Sequence, residues 1–187
     1  MAEYLKIATV NAQSILAHFD GFSNYFGDCE FNIVCVCETW LKSSIGSGLV
    51  KLHQYNLFRC DRAGRRGGGV ACYIAESIKA GCAESSADTS LPFEYMCLKI
   101  IDTTSPHNKL ALLVVYRPPG VVFLDDLGMI LTRIVPKYSH IIVTGDFNMA
   151  FARDLMGGIA SLGCLVHLVS ISFIFIPLTT HLHHIHG

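Results

Sequence analysis

The sequence predicts an α+β fold in which mixed β-sheets carry helices on their outer faces. Short apolar runs of the kind that form strands recur between residues 4 and 146, and they outnumber the helical patterns. Two amphipathic segments interrupt these runs, which is typical of helices packed on sheets. Of the 187 residues, 51% are hydrophobic and only 16% are charged, so one domain can bury a sizeable core.

The chain opens with two predicted strands on either side of a helix. Tyr4 to Asn11 is a short apolar strand, and Phe31 to Cys37 is a longer apolar run that ends in Glu38-Thr39-Trp40. Ser14 is placed to cap a helix, because its hydroxyl can accept a bond from a free N–H of the first turn. The residues that recur at helical spacing after it are Ile15, Phe19, Phe22 and Phe26.

The middle of the chain reads as further strands and a second helix. A Ser- and Gly-rich loop, Lys42 to Gly48, precedes the strands. These strands are predicted around Tyr55 to Arg59, Gly69 to Ile74, Tyr95 to Ile101 and Lys109 to Tyr116. Pro118-Pro119-Gly120 ends the last of them. The apolar face of the second helix consists of Leu124, Leu127, Ile130, Leu131 and Ile134, with Asp125 and Asp126 near its positive end.

Polar groups that can perform chemistry follow two of the apolar strands. Ile141 to Thr144 leads into Gly145, after which Asp146 and Asn148 stand two residues apart and can point the same way from the strand end. Glu38 follows the earlier strand in the same manner. Two carboxylates held close together repel each other unless a cation lies between them. The pattern therefore predicts a hard divalent metal such as magnesium at the strand ends.

Charge and cysteine content exclude several classes of protein. The net charge of -1 provides no global attraction to nucleic acid, so any basic surface must be local. The eight cysteines lie mostly inside apolar strand-like runs, which favours reduced core thiols of an intracellular protein over a disulfide scaffold. Cys35 and Cys37 lack the two-residue spacer of a zinc knuckle. The N-terminus has no apolar signal core, so secretion is not expected.

One local basic segment permits two interpretations. Arg62, Arg65 and Arg66 precede three consecutive glycines, Gly67 to Gly69. A flexible basic loop of this kind suits DNA phosphates, where charge neutralisation contributes affinity without sequence choice. A solvated hairpin loop explains the same residues equally well.

Five short blocks occur in a fixed order along the chain. They are Thr9-Val10-Asn11-Ala12-Gln13-Ser14, Cys37-Glu38-Thr39-Trp40-Leu41, Arg65-Arg66-Gly67-Gly68-Gly69-Val70-Ala71, Val115-Tyr116-Arg117-Pro118-Pro119 and Gly145-Asp146-Phe147-Asn148. As an ordered set they resemble the endonuclease/exonuclease/phosphatase family of metal-dependent phosphodiesterases. The closest likeness is to the N-terminal endonuclease domain of non-LTR (LINE-type) retrotransposons, and it covers roughly residues 4 to 150.

The resemblance implies a fold and a set of roles. The fold is an incomplete four-layer α/β-sandwich of the deoxyribonuclease-like type, with two mixed β-sheets flanked by helices. The implied reaction is phosphodiester hydrolysis that nicks DNA, with Mg²⁺ or Mn²⁺ and without an organic cofactor. Glu38 and Asn11 belong to the metal site, Tyr116 helps to hold the phosphate, and Asp146 with Asn148 orients the attacking water.

The resemblance also implies a partner and a location. DNA is the expected partner, and the cationic side chains that could contact its phosphates are Arg62, Arg65, Arg66 and Arg117. An intracellular location is expected, and a nuclear one if the chain functions as a retrotransposon endonuclease.

The last segment departs from the family pattern. The family closes with an Asp and a Ser-Asp-His motif, whereas no acidic residue follows Asp154 and the chain ends in a histidine cluster, His181 to His186. We therefore expect a truncated family domain over residues 1–152, an apolar non-family tail over 153–187, and impaired activity. Two alternatives remain open: an inactive fragment with weak DNA binding, and a membrane-tethered protein anchored through the uncharged residues 155–178.

Overall fold

The computed structural model describes residues 4–87, 89–101, 109–148, 166–170 and 173–177. In chain order, the strands and α-helices of these residues are β1 (Tyr4–Asn11), α1 (Phe19–Asp28), β2 (Ile33–Cys37), β3 (Tyr55–Cys60), β4 (Val70–Ala75), β5 (Lys79–Ser85), β6 (Glu94–Ile101), β7 (Lys109–Tyr116), α2 (Leu124–Ile134), β8 (His140–Asp146), β9 (Val166–Ser170) and β10 (Phe173–Pro177). Short 3₁₀ turns cover Ser47–Val50 and Val135–Lys137.

The strands form two mixed sheets. The first has the strand order β10-β1-β2-β4-β3, and the second has the order β5-β6-β7-β8-β9. β1 and β2 run parallel in the first sheet, while β7, β8 and β9 run parallel in the second. The remaining pairs are antiparallel. Parallel neighbours end at the same edge of a sheet, which is the edge that carries the candidate site.

The core consists of three apolar layers. The two sheets pack face to face through alternate residues of their strands, for example Ile33 and Leu112. α1 covers the outer face of the first sheet through Phe22 and Phe26, and α2 covers the outer face of the second through a stripe that includes Leu127. The predicted four-layer α/β-sandwich of deoxyribonuclease-like type is confirmed. β2 is buried throughout because each of its faces meets a different layer, which explains its unbroken apolar run.

The start of the first helix differs from the prediction. α1 begins at Phe19 and its N-cap position is His18, so Ser14 does not cap it. Ser14 instead has a left-handed φ of 87°, and its backbone N–H donates to the Glu38 carbonyl at 2.9 Å. The Ser14 backbone therefore bonds to the loop after β2 instead of capping the helix.

The sequence does not predict β5. This strand lies on a sheet edge and is only partly buried, so its apolar pattern is weak.

Two strands lie within the segment expected to form an apolar tail. β9 pairs in parallel with β8, and β10 pairs antiparallel with β1, so each extends one sheet. An extended apolar run can pair in this way because a sheet edge presents unpaired backbone N–H and C=O groups. The expected boundary at residue 152 and the histidine cluster lie outside the described residues, so the division into two segments stays a prediction.

The described residues also bear on the membrane alternative. None of their helices has the length and apolar character needed to span a bilayer. The described parts of residues 155–178 are the two strands β9 and β10.

Candidate active site

Four strand ends bring the predicted polar residues together. Asn11 is the last residue of β1, Glu38 follows β2, Tyr116 ends β7 and Asp146 ends β8. Within each sheet the alignment follows from the parallel register, in which Asn11 lies opposite Cys37 and Tyr116 lies opposite Asp146. Packing of the sheets then places the two pairs of ends side by side.

Asn11 connects the two carboxylates. Its side-chain Nδ2 donates to Glu38 Oε1 at 3.0 Å and to Asp146 Oδ2 at 2.7 Å. Glu38 belongs to the first sheet and Asp146 to the second, so a single amide group joins the sheets at this edge. A neutral amide with two N–H groups stabilises both acids without adding charge.

Glu38 is held in an unusual backbone conformation. Its φ is +52° and that of Trp40 is +53°, values that residues other than glycine rarely adopt. Such conformations cost about 1–3 kcal/mol each and persist only where surrounding contacts impose them. The contacts here are backbone bonds from Ser14 N–H to Glu38 O at 2.9 Å and from Trp40 N–H to Gly68 O at 3.0 Å. Trp40 Nε1 also donates to Glu38 Oε2 at 3.2 Å.

The three glycines of the basic loop form the wall behind Glu38. All three have left-handed φ values between 69° and 83°. A Cβ on Gly69 would lie 2.6 Å from Thr39 Oγ1, and a Cβ on Gly67 would lie 3.5 Å from Trp40 Nε1. Glycine is required at Gly69 because any side chain there would push the Glu38 loop away. The predicted flexible loop is therefore partly a structural support for the site.

Tyr116 presents a protonated phenol to the site. Burial raises the pKa of its hydroxyl well above the usual value, and the charge of Glu38 raises it further. Glu38 therefore lies close enough to the Tyr116 hydroxyl to act on it. Tyr116 is consequently a neutral hydrogen-bond donor across the ordinary pH range.

Asp146 and Asn148 are linked through the backbone. Asn148 N–H donates to Asp146 Oδ1 at 3.0 Å, and Asn148 has a left-handed φ of 46°. The Asn148 side chain does not point at Asp146; its Nδ2 donates to the Arg117 carbonyl at 2.7 Å. The sequence predicts that the Asp146 and Asn148 side chains point the same way from one strand. They do not, because the strand ends at Asp146 and the chain turns before Asn148.

The four arginines predicted to contact DNA divide into two groups. Arg65 and Arg66 are exposed, and the Arg66 guanidinium lies 6.0 Å from the centroid of the Trp40 ring. The other two make internal contacts. Arg117 donates to the carbonyls of Phe147 and Asn148, at 2.9 Å each, and Arg62 forms an ion pair with Glu94. The DNA contacts of all four arginines stay a prediction. The guanidinium donors of Arg117 and Arg62 named here already bond within the protein.

Sequence reasoning missed one pair behind the site. Thr9 Oγ1 and Thr144 Oγ1 lie 2.6 Å apart in the buried space between the sheets. Each threonine stands two residues before a site residue, Asn11 or Asp146, and so faces the same way along its strand. That spacing was a signal available in the sequence. The hydroxyl pair and the Asn11 bridge form two successive polar links between the sheets.

Fold and site together define a class of protein: a deoxyribonuclease-like sandwich with acids and amides gathered at the strand ends. The sequence matches one family model over residues 8–179, described as the Endonuclease/Exonuclease/phosphatase family. This chain belongs to that family. The match extends past β8 and includes the residues of β9 and β10. No curated protein matches the chain significantly.

Solved structures share the fold at low sequence identity. The human Nocturnin catalytic domain with bound sulfate is 13% identical, with a TM-score of 0.64 over 85% of this chain and 69% of that one. A 3' phosphatase from Neisseria bound to a product DNA hairpin is 14% identical, with a TM-score of 0.60 over 85% and 71%. An AP endonuclease from Archaeoglobus fulgidus is 17% identical, with a TM-score of 0.58 over 84% and 69%. These likenesses support the fold.

Proposed function

We propose that this chain is a divalent-metal-dependent phosphodiesterase that nicks DNA, of retrotransposon descent. The observation that carries the proposal is the convergence of Glu38 and Asp146, from different sheets, on the amide of Asn11 beside the Tyr116 phenol. DNA as substrate is supported by the names of two similar structures, a phosphatase bound to a DNA hairpin and an AP endonuclease. Retrotransposon descent rests on the five ordered sequence blocks.

The residues present fit a hard cation. Glu38 contributes carboxylate oxygens, and Asn11 contributes a carbonyl oxygen, Oδ1, which accepts the Gln13 N–H at 3.1 Å. Mg²⁺ is commonly bound by one or two carboxylates while it retains several waters. In the described residues, no group of three or more His, Cys, Asp or Glu side chains is placed to hold a metal ion, so the proposal rests on a smaller set of donors. Glu38 and Asn11 are thus the proposed ligands for Mg²⁺ or Mn²⁺, which would act as a Lewis acid on the phosphate.

The protein groups have complementary tasks around the phosphate. Asp146 is the only proposed proton acceptor, and it holds the attacking water in line. Tyr116 donates a hydrogen bond to a phosphate oxygen, because its phenol remains protonated. Asn11 anchors Asp146 through its amide. The exposed Arg65 and Arg66 contact backbone phosphates outside the reacting centre.

We further propose that the 187-residue chain nicks slowly. It contains no Ser-Asp-His sequence, which in the resembling enzymes completes the site. General acid or base groups of this kind contribute about 10²–10⁴-fold to rate. The rate should therefore fall short of that of a complete family member by a factor in this range.

Nicking of supercoiled plasmid with Mg²⁺ or Mn²⁺ tests the proposal. Glu38→Gln and Asp146→Asn should each reduce the rate by about 10²-fold or more, since each removes a charge at the reacting centre. Glu30→Gln is the matched control, because the Glu30 side chain is 90% exposed and pairs only loosely with Lys6 at 3.2 Å. Full activity in Glu38→Gln would overturn the assignment.

Manganese binding measured by water-proton relaxation provides a second readout that needs no turnover. Glu38→Gln should abolish the binding signal, and Glu30→Gln should retain it. Metal binding without nicking in the wild-type chain would favour the alternative of a catalytically inactive fragment that still binds DNA weakly.

A further inference from the structure

Arg62 lies beside the candidate site, but its side chain is only 11% exposed. Its Nε donates to Glu94 Oε1 at 2.5 Å and its Nη2 donates to Glu94 Oε2 at 2.7 Å. This is a bidentate arrangement in which both carboxylate oxygens are used. The Glu94 side chain is 8% exposed. A charge pair buried to this degree persists only with good geometry, because both ions have lost most of their hydration.

The pair lies next to Tyr116. The Arg62 Cζ atom lies 5.5 Å from the centroid of the Tyr116 ring, within the range of a cation–π contact. Glu94, at the start of β6, lies directly opposite Tyr116 in the antiparallel register of β6 and β7. Arg62 follows β3 of the first sheet, whereas Glu94 and Tyr116 belong to the second. The ion pair therefore joins the sheets next to the phenol.

A glycine leaves the space that Arg62 occupies. A Cβ on Gly68 would lie 2.3 Å from Arg62 Cζ, a distance that real atoms do not show. The Gly68 carbonyl in turn accepts the Trp40 N–H at 3.0 Å, next to Glu38. The same short loop thus shapes the backbone behind Glu38 and the guanidinium against Tyr116. Gly68 therefore lies between the Glu38 loop and the Arg62 side chain that covers Tyr116.

We infer that Arg62, held by Glu94, is a positioning residue that orients the Tyr116 phenol toward Glu38 and the substrate phosphate. This inference rests on the proposed function, and it replaces a direct DNA contact for Arg62 with an action through Tyr116. A planar guanidinium is required, since lysine can neither bind both carboxylate oxygens in parallel nor stack on the ring. Glu94 acts by holding the guanidinium plane of Arg62 against the Tyr116 ring.

Fluorine NMR tests the positioning directly and requires no activity. With 3-fluorotyrosine incorporated at position 116, Arg62→Lys and Glu94→Gln should each shift or broaden its resonance. Glu94→Gln also covers the case in which Arg62→Lys does not fold, because it preserves side-chain shape. An unchanged resonance in a folded variant would overturn the inference.

A second ion pair provides a matched control. Arg59 donates to Asp61 at 2.8 and 2.5 Å, with side-chain exposures of 15% and 17%. It is thus also bidentate and partly buried, but its other donors go to the carbonyls of Lys42 and Ile45. Asp61→Asn should leave the Tyr116 resonance in place. An equal response to Asp61→Asn would mean a general structural effect and would contradict the inference.

A double-mutant cycle on plasmid nicking separates positioning from DNA contact. Arg62→Lys should lower kcat by about 10- to 100-fold with little change in KM, as expected for a misplaced catalytic group. In a Tyr116→Phe background the same change should have little further effect, because coupled residues are not additive. Additive losses, with a raised KM and a reduced salt dependence, would show that Arg62 contacts phosphates and would overturn the inference.

If the wild-type chain does not nick DNA, the proposed function fails while the NMR experiment still decides the role of Arg62. If it nicks DNA and the Tyr116 resonance is unaffected by either substitution, only the positioning role fails. The two failures are therefore distinguishable.

Discussion

At the scale of single residues, Asn11 determines how two acids share a small space. Its Nδ2 lies 3.0 Å from Glu38 Oε1 and 2.7 Å from Asp146 Oδ2. Trp40 Nε1 supplies a further donor to Glu38. The donors to each carboxylate are therefore neutral, and among the described residues no ion pair joins Glu38 or Asp146 to a lysine or arginine. Neutral donors of this kind suit the cation and the phosphate that we propose for the site.

Tyr116 yields a prediction about pH. Burial and the nearby Glu38 both disfavour the phenolate, so the pKa of Tyr116 lies well above the ordinary value of a tyrosine. The charged form of a tyrosine is the deprotonated one, hence the donor should survive as the pH rises through 10. Tyr116→Phe should lower kcat by about 10²-fold, and the ratio of wild-type to mutant rates should stay constant from pH 7 to pH 10.

Tyr25→Phe is the control for this experiment, since Tyr25 is 54% exposed on α1 and should not affect nicking. A wild-type to Tyr116→Phe ratio that falls toward one above pH 9 would mean that the phenol ionises in the ordinary range. The burial of Tyr116 would then not control its protonation.

At the scale of elements, strand alternation organises the space between the sheets. Ile7, Thr9 and Asn11 face the second sheet along β1, while Thr144 and Asp146 face back along β8. The apolar contact is followed by a hydroxyl pair and then by the amide and acid at the solvent edge. Polarity thus increases step by step toward the site, and the last buried link is the 2.6 Å contact between the two threonines.

Gly145 is the tightest point of these elements, and it yields a prediction about stability. A Cβ there would lie 1.8 Å from the Val115 carbonyl oxygen, and its φ is +145°. Gly145→Ala should therefore force β7 and β8 apart and destabilise the protein by about 3 kcal/mol or more. Urea unfolding followed by circular dichroism measures this change.

Gly128→Ala on α2 is the matched control. A Cβ at Gly128 has no atom within 4 Å, and alanine is the better helix former. This variant should be more stable by about 0.5–1 kcal/mol. A Gly145→Ala protein as stable as wild type would show that β7 and β8 can separate without cost.

At the scale of the whole molecule, β9 and β10 extend the two sheets at adjacent places. β10 covers the edge of β1 and β9 covers the edge of β8, and these are the two strands that end in Asn11 and Asp146. Without them, β1 and β8 would become edge strands with unpaired backbone groups. The family match through residue 179 includes the same strands.

A truncation tests the contribution of these strands. A chain ending at residue 151 should unfold at lower denaturant concentration, less cooperatively, and aggregate more readily than the full chain, because both inner strands lose their partners. A chain ending at residue 177 is the control, since it keeps both strands. Equal midpoints and solubility for the 151-residue chain and the full chain would mean that β9 and β10 add nothing to the fold. This outcome is the one expected of an apolar tail outside the sandwich.

Most strands, both helices and the five polar residues at or beside the strand ends can be predicted from the sequence. This is possible because apolar periodicity and strand length are local properties, readable from neighbouring residues. The ordered motif blocks resemble the endonuclease/exonuclease/phosphatase family, and the family match agrees with this resemblance. Ser14 shows the limit of such reasoning, because its local pattern predicts a helix cap while its backbone bonds to the loop after β2.

Which side chains contact each other is visible in the folded protein and not in the sequence. Glu94 carries no local signal of its role, yet it binds Arg62, 32 residues away. Thr9 and Thr144 are separated by 135 residues, as are Asn11 and Asp146. The pairing of β9 and β10 likewise depends on which sheet edges are available. The physical reason is that the contacts across the sandwich depend on how two separately formed sheets align, and no short stretch of sequence encodes that alignment.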